Sequence, residues 1–209
     1  MTTPTYDAGF GSADDPTSDF VPLPMDFTGT DWPDASAYAE DVADVLGARQ
    51  RAYAGDNDVP GDLRARIADQ IRDDYDKLPG LFPAHLHYLY WPEPTRPPVP
   101  VFVGFWPVPD SGRAPAERLG KADVEEEFTS EHLGRGTRSL YGVALQPDDG
   151  DDDAANVAPF LGVVGYHWRA GDTPIDVQLI AMTNELGRLY AALPALDAFA
   201  RELTVYDGQ

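Results

Sequence analysis

Cysteine is absent from this chain of 209 residues, and lysine nearly so: Lys77 and Lys121 stand against 13 arginines. Without cysteine there is no disulfide framework, no thiol nucleophile and no thiolate metal ligand. No run of 18 apolar residues occurs, so no helical membrane span is expected. The opening MTTPTYDAGFGSADD has neither a basic nor an apolar leader segment, so no secretory signal is expected, and the cytoplasm is the expected compartment. Short catalytic signatures are missing too. There is no G-x-S-x-G elbow, no Walker loop, no G-x-G-x-x-G and no H-E-x-x-H.

Positive charge is scarce. Of 36 acids, 27 are Asp and 9 are Glu, and against 15 bases they leave a net charge of −21. Such a surface repels phosphates, which argues against nucleic acid and anionic membrane as partners. Basic proteins, or a role as a nucleic-acid mimic, are what this charge permits. The Asp-rich, Lys-poor composition is better read as that of a high-GC or salt-adapted genome.

What remains is ample for a core, with 43% hydrophobic and 11% aromatic residues. Residues 1–20, rich in Thr, Asp, Gly and Ser, read as a disordered arm, and residues 21–209 as a single α+β domain. Phe20–Phe27 reads as a short edge strand, limited by its prolines. A first helix opens at Trp32–Ser36 with Asp34 or Ser36 as cap and an apolar stripe of Tyr38, Val42, Val45, Leu46 and Tyr53. A second carries Leu63, Ile67, Ile71, Tyr75 and Leu78, and Pro79-Gly80 is expected to stop it.

The stretch Pro83–Pro109 organises the rest. Two aromatic-rich strands, His85–Trp91 and Val99–Trp106, flank a proline-rich connection. Lys121–Leu133 reads as a short helix, with Val124 and Phe128 four apart and Gly134 just past its end. Strands follow at Ser139–Leu145, Phe160–Arg169 and Ile175–Thr183 in the order of an antiparallel meander, with the acidic loop Pro147–Asp153 between the first two. The end is helical, with a kink or break expected at Pro194, and Thr204–Tyr206 reads as a last short strand. The sum is an α+β fold with a mostly antiparallel sheet of five to six strands and helices packed on it.

Chemistry-bearing residues are few. His85 and His87 share one face of a strand with Trp91, and Trp106 lies on the neighbouring strand; these four form the candidate ligand-binding set. Two imidazoles at i, i+2 suit a metal only if third and fourth ligands join, and His132, His167 or an acid would have to supply them. The apolar setting favours packing instead. Asp56–Asp62 imitates an EF-hand start but has Pro60 at position five and Ile67 at position twelve. Glu125–Glu127 and Glu131 read as a solvated charge run. No catalytic residue, metal ligand or cofactor is assigned.

The segments Pro22–Phe27 (PLPMDF), Trp32 with Ser36–Glu40 (SAYAE), Val163–Trp168 (VVGYHW) and Leu193–Leu203 (LPALDAFAREL) resemble those of uncharacterised actinobacterial proteins. The closing strand-then-helix is similar in outline to the Mog1/PsbP-like α/β/α sandwich. That resemblance implies an accessory or interaction role, in some cases beside type VII secretion loci, and carries no functional residues across. The leading expectation is therefore a non-enzymatic cytoplasmic accessory protein, monomer or homodimer, that binds another protein. Alternatives are an acidic immunity or DNA-mimic protein neutralising a basic partner, and a metal-dependent enzyme using the His85/His87 face.

Overall fold

The strands are β1 (Thr5–Gly9), β2 (Phe20–Leu23), β3 (Leu86–Tyr90), β4 (Val99–Pro107), β5 (Val124–Ser130), β6 (Gly134–Ala144), β7 (Phe160–Ala170), β8 (Ile175–Thr183) and β9 (Thr204–Gly208). The helices are α1 (Ala35–Ala54), α2 (Leu63–Leu81) and α3 (Leu186–Glu202). This computed structural model describes residues 5–9, 18–54, 59–82, 84–107, 121–144, 160–170 and 175–208. The acidic loop Pro147–Asp153, the loop Asp110–Pro115, Asp56 and Asp58 of the EF-hand-like run, and most of the 1–20 stretch lie outside them. The class is α+β. The chain divides into two compact units, residues 12–100 and residues 101–209 with 1–11.

In the first unit β2 and β3 pair antiparallel, Phe20 opposite Tyr90 and Leu23 opposite His87. The expected edge strand thus ends at Leu23, and the chain from Pro24 to Phe27 leaves the ladder. Asp34 caps α1, its Oδ1 accepting the Ala37 amide at 2.9 Å. The buried seam of α1 is Tyr38, Ala39, Ala43, Leu46 and Gly47, whereas Val45 is 41% and Tyr53 90% exposed. The buried seam thus runs through small residues at 39, 43 and 47 and not through the largest side chains of the helix. Ion pairs tie the two helices, Arg64 to Asp44 at 2.5 Å and to Glu40 at 2.6 Å, with Arg72 joining Glu40. α2 runs through Pro79 to Leu81 instead of stopping. Pro79 lies in the last turn and is exposed, so water can serve the carbonyl that loses its intrahelical donor.

The inner face of α2 holds an acid that periodicity did not single out. Asp74 is 8% exposed, and its Oδ2 is buried without a hydrogen-bond partner. Burial pushes its carboxyl up to about 6, against a hydrogen bond from Gln70 that lowers it; Asp73 adds to the rise and Lys77 opposes it. The folded value lies above the unfolded value of about 3.9. The folded state therefore binds this proton more tightly, and stability falls as pH rises from about 4 to about 6 and is flat above. Asp74→Asn should raise stability at pH 7 by roughly 1–3 kcal/mol. It should also flatten that part of the profile, as measured by denaturant unfolding across the pH series.

The second unit is built on an antiparallel sheet of order β4-β8-β7-β6-β5, with β1 and β9 as a separate antiparallel pair. β5 corrects the expected helix at Lys121–Leu133. A spacing of four between Val124 and Phe128 fits one turn of helix and also two strand periods. Partners on β6 settle it: Glu126 lies opposite Arg138 and pairs with it at 2.5 Å, and Arg135 reaches Glu127 at 2.6 Å. Gly134 takes φ +74° at the end of the three-residue connection 131–133, a hairpin role in place of a helix stop. This strand lifts the number to seven from β2 to β8, above the five or six expected.

α3 packs on β5, β7 and β8. It is one helix across Pro194, where a kink or a break into two helices was expected, so the break does not occur; Pro194 is exposed, as is Tyr190, whose carbonyl loses its donor. Beneath the helix, Phe128 meets Tyr166 edge-on at 5.0 Å and Trp168 at 5.9 Å, and all three rings are buried. Arg138 Nη1 donates to both Asp197 oxygens, at 3.0 and 2.7 Å, and the Tyr166 hydroxyl donates to Oδ1 at 2.7 Å. Burial, then Asp197, hold the Tyr166 phenol far above its ordinary range, so it remains a neutral donor. Three glycines lie under rings: a Cβ on Gly104 would sit 1.9 Å from Trp106, one on Gly136 2.4 Å from Trp168, and one on Gly142 2.3 Å from Phe160.

Candidate functional site

His87 is 4% exposed on β3, in line with Leu89 at 0% and Trp91 at 2%. That face is packed core of the first unit. Burial lowers the His87 imidazole below its ordinary value, so it is neutral at neutral pH. His85, just before β3, is exposed. The Trp91 indole N–H donates to Arg96 O at 2.6 Å, its amide to Asp19 O at 2.7 Å, and its carbonyl accepts from Arg49 at 2.6 Å. Trp91 thereby fastens the proline-rich turn after β3 to the start of β2. Pro94 is buried in that turn, so the connection is not displayed whole. Trp106 belongs to β4 of the second unit, half-buried with its ring across Gly104. Among the described residues no group of three or more His, Asp or Glu is placed to hold a metal ion.

A concave surface of the first unit lies elsewhere, in the segment between β2 and α1. Residues Met25–Pro33 line an open groove of about 700 Å³. Its loop is built by local bonds. Asp26 Oδ1 accepts the Thr28 amide at 2.9 Å, the Thr30 amide donates to Phe27 O at 3.1 Å, and Gly29 supplies the turn with φ +81°. Two tyrosines hold the loop from below. The Tyr38 hydroxyl donates to Pro22 O, and the Tyr75 hydroxyl to Pro24 O at 2.6 Å. Phe27 stacks on Tyr75 at 5.7 Å, and Trp32 meets Tyr38 edge-on at 4.9 Å. The Trp32 indole N–H donates to Asp41 Oδ2 at 3.2 Å.

This groove is aromatic and acidic at once. Asp26 and Asp31 line it, Asp41 is bonded to its Trp32 and Asp34 follows its Pro33, and none of the four forms an ion pair with a described residue. No lysine, arginine or histidine precedes Arg49 in the chain. The backbone and side-chain bonds from Thr28 hold the Asp26 carboxyl below the usual range, so it is ionised at neutral pH. Comparison with family profiles, curated proteins and solved structures finds no match to this chain. The site is therefore read from its own geometry.

The second unit holds a polar cluster on the sheet face opposite α3. Asp176, at 0% exposure, accepts from His167 Nε2 at 3.3 Å and Arg169 Nε at 3.2 Å through the same oxygen. Register places Gln178 opposite His167. The cluster joins β7 to β8 through Asp176 Oδ1, while Oδ2 of the same carboxyl is buried without a hydrogen-bond partner. The groove was missed from sequence because Pro22–Phe27 reads as strand. The signals present were the Asp26-x-Thr28 turn, Gly29, and acids interleaved with Met25, Phe27 and Trp32 without a base.

Proposed function

We propose that the protein is a non-enzymatic accessory protein that binds a basic segment of another protein through the Met25–Pro33 groove. The observation carrying this reading is a groove that holds Phe27 and Trp32 beside Asp26 and Asp31, with Asp41 bonded to the Trp32 indole, none of these acids having a cationic partner among the described residues. Unpaired carboxylates beside exposed apolar surface favour a ligand that brings both charge and apolar contact. Elsewhere in the first unit the exposed acids of the helices are largely matched by arginine or lysine, so the groove is where a foreign cation gains most.

The test is binding of immobilised protein to basic, neutral and acidic polypeptides of matched length. Basic ones should be retained, with affinity falling steeply as salt rises. The triple variant Asp26→Asn, Asp31→Asn, Asp41→Asn keeps the hydrogen-bonding shape and should weaken retention about tenfold or more. Equal retention of all three classes, or full retention by the variant, rejects the reading.

A further inference from the structure

Resting on that docking reading, we infer that the group read in the groove is an arginine side chain of the partner, stacked on Trp32 and held by the carboxylates of Asp26 and Asp31. The ring is fixed before any ligand arrives. Its N–H is bonded to Asp41 at 3.2 Å, and Tyr38 abuts it at 83°. A carboxylate at the ring edge adds negative potential to a face that already attracts cations. The Phe27–Thr30 turn, made by Gly29, reverses the chain so that Asp26 and Asp31 both border the groove with Trp32. The site is thus preorganised, with little ordering left to be done on binding.

Arginine fits this arrangement better than lysine. A guanidinium is planar and weakly hydrated, so it stacks on indole and offers a fork of donors to a carboxylate at the same time. An ammonium is a compact, strongly hydrated point charge and gives up that hydration to lie on a ring. The groove is open, so the ligand cation stays partly wet. The apolar stem of an arginine has a surface to lie on in Met25, which is 43% exposed and adaptable in shape.

The experiment uses short neutral peptides identical except at the central residue, which is arginine, lysine or citrulline, read by fluorescence anisotropy on the full chain. Arginine should bind about tenfold tighter than lysine, and citrulline weakest. Trp32→Ala should abolish the arginine preference, and Trp32→Phe should keep part of it. Asp31→Asn, which leaves the ring and its support in place, should weaken the arginine peptide about fivefold. Circular dichroism of each variant verifies the fold. Equal binding of arginine and lysine, or a preference that survives Trp32→Ala in a folded protein, overturns the inference. If basic polypeptides still bind the wild type in that case, only the arginine assignment fails. If no basic ligand binds at all, the docking reading fails with it.

Discussion

Trp91→Ala is expected to lower the unfolding free energy by about 3–5 kcal/mol. Three effects combine. The largest side chain of the first unit's core leaves a cavity, since Trp91 is 2% exposed. The Arg96 carbonyl loses the indole donor it holds at 2.6 Å. The turn from Pro92 to Pro98 then loses its inner anchor. Trp91→Phe retains most of the packing and should cost about half as much. Guanidinium unfolding followed by far-ultraviolet circular dichroism measures both. A Trp91→Ala change within about 0.5 kcal/mol of wild type would show the ring to be dispensable for packing and return it to the set of ligand-contact candidates.

Asp197→Ala should cost about 3 kcal/mol, less than a fully buried pair because Asp197 and Arg138 side chains keep 16% and 22% exposure. The variant strands two donors at once. The Tyr166 hydroxyl, on a residue 1% exposed, loses its acceptor, and Arg138 retains only Glu126. The loss is of the link between α3 and the sheet, so amide exchange should quicken first in α3. Combining Asp197→Ala with Tyr166→Phe gives the check. The double variant should be less destabilised than the sum of the singles, because both act through one carboxylate. Strict additivity would mean the three groups do not form a network.

Sequence reading reached the α+β class, both long N-terminal helices, the Asp34 cap and the meander β6-β7-β8 because each rests on local signals: a period, a cap, a turn. It went astray where a local pattern admits two answers. Val124 and Phe128 satisfy both periods, and the pairing with Arg135 and Arg138 across the hairpin, 8 and 12 positions on, selects strand. Val45 and Tyr53 looked like core by size, but Ala39, Ala43 and Gly47 are the residues buried. Asp74 was invisible because an acid among Asp69, Asp73 and Asp76 reads as surface. The groove was illegible for a related reason. Its shape depends on Tyr38 and Tyr75 reaching Pro22 and Pro24, two bonds that join residues 16 and 51 positions apart. His85, His87, Trp91 and Trp106 drew attention as rare residues, and rarity does not distinguish a ligand contact from a core anchor.

The ring of Trp106 over Gly104 imposes an order on the sequence changes this sheet can accept. A side chain cannot appear at position 104 while the indole at 106 occupies that space, yet the indole can shrink while the glycine stays. Drift is therefore one-way at this pair. The ring must go first and the glycine second, and the reverse path passes through a clashing intermediate. Position 136 is held more firmly, because a Cβ there would meet the His167 backbone oxygen at 2.4 Å whatever becomes of the Trp168 ring.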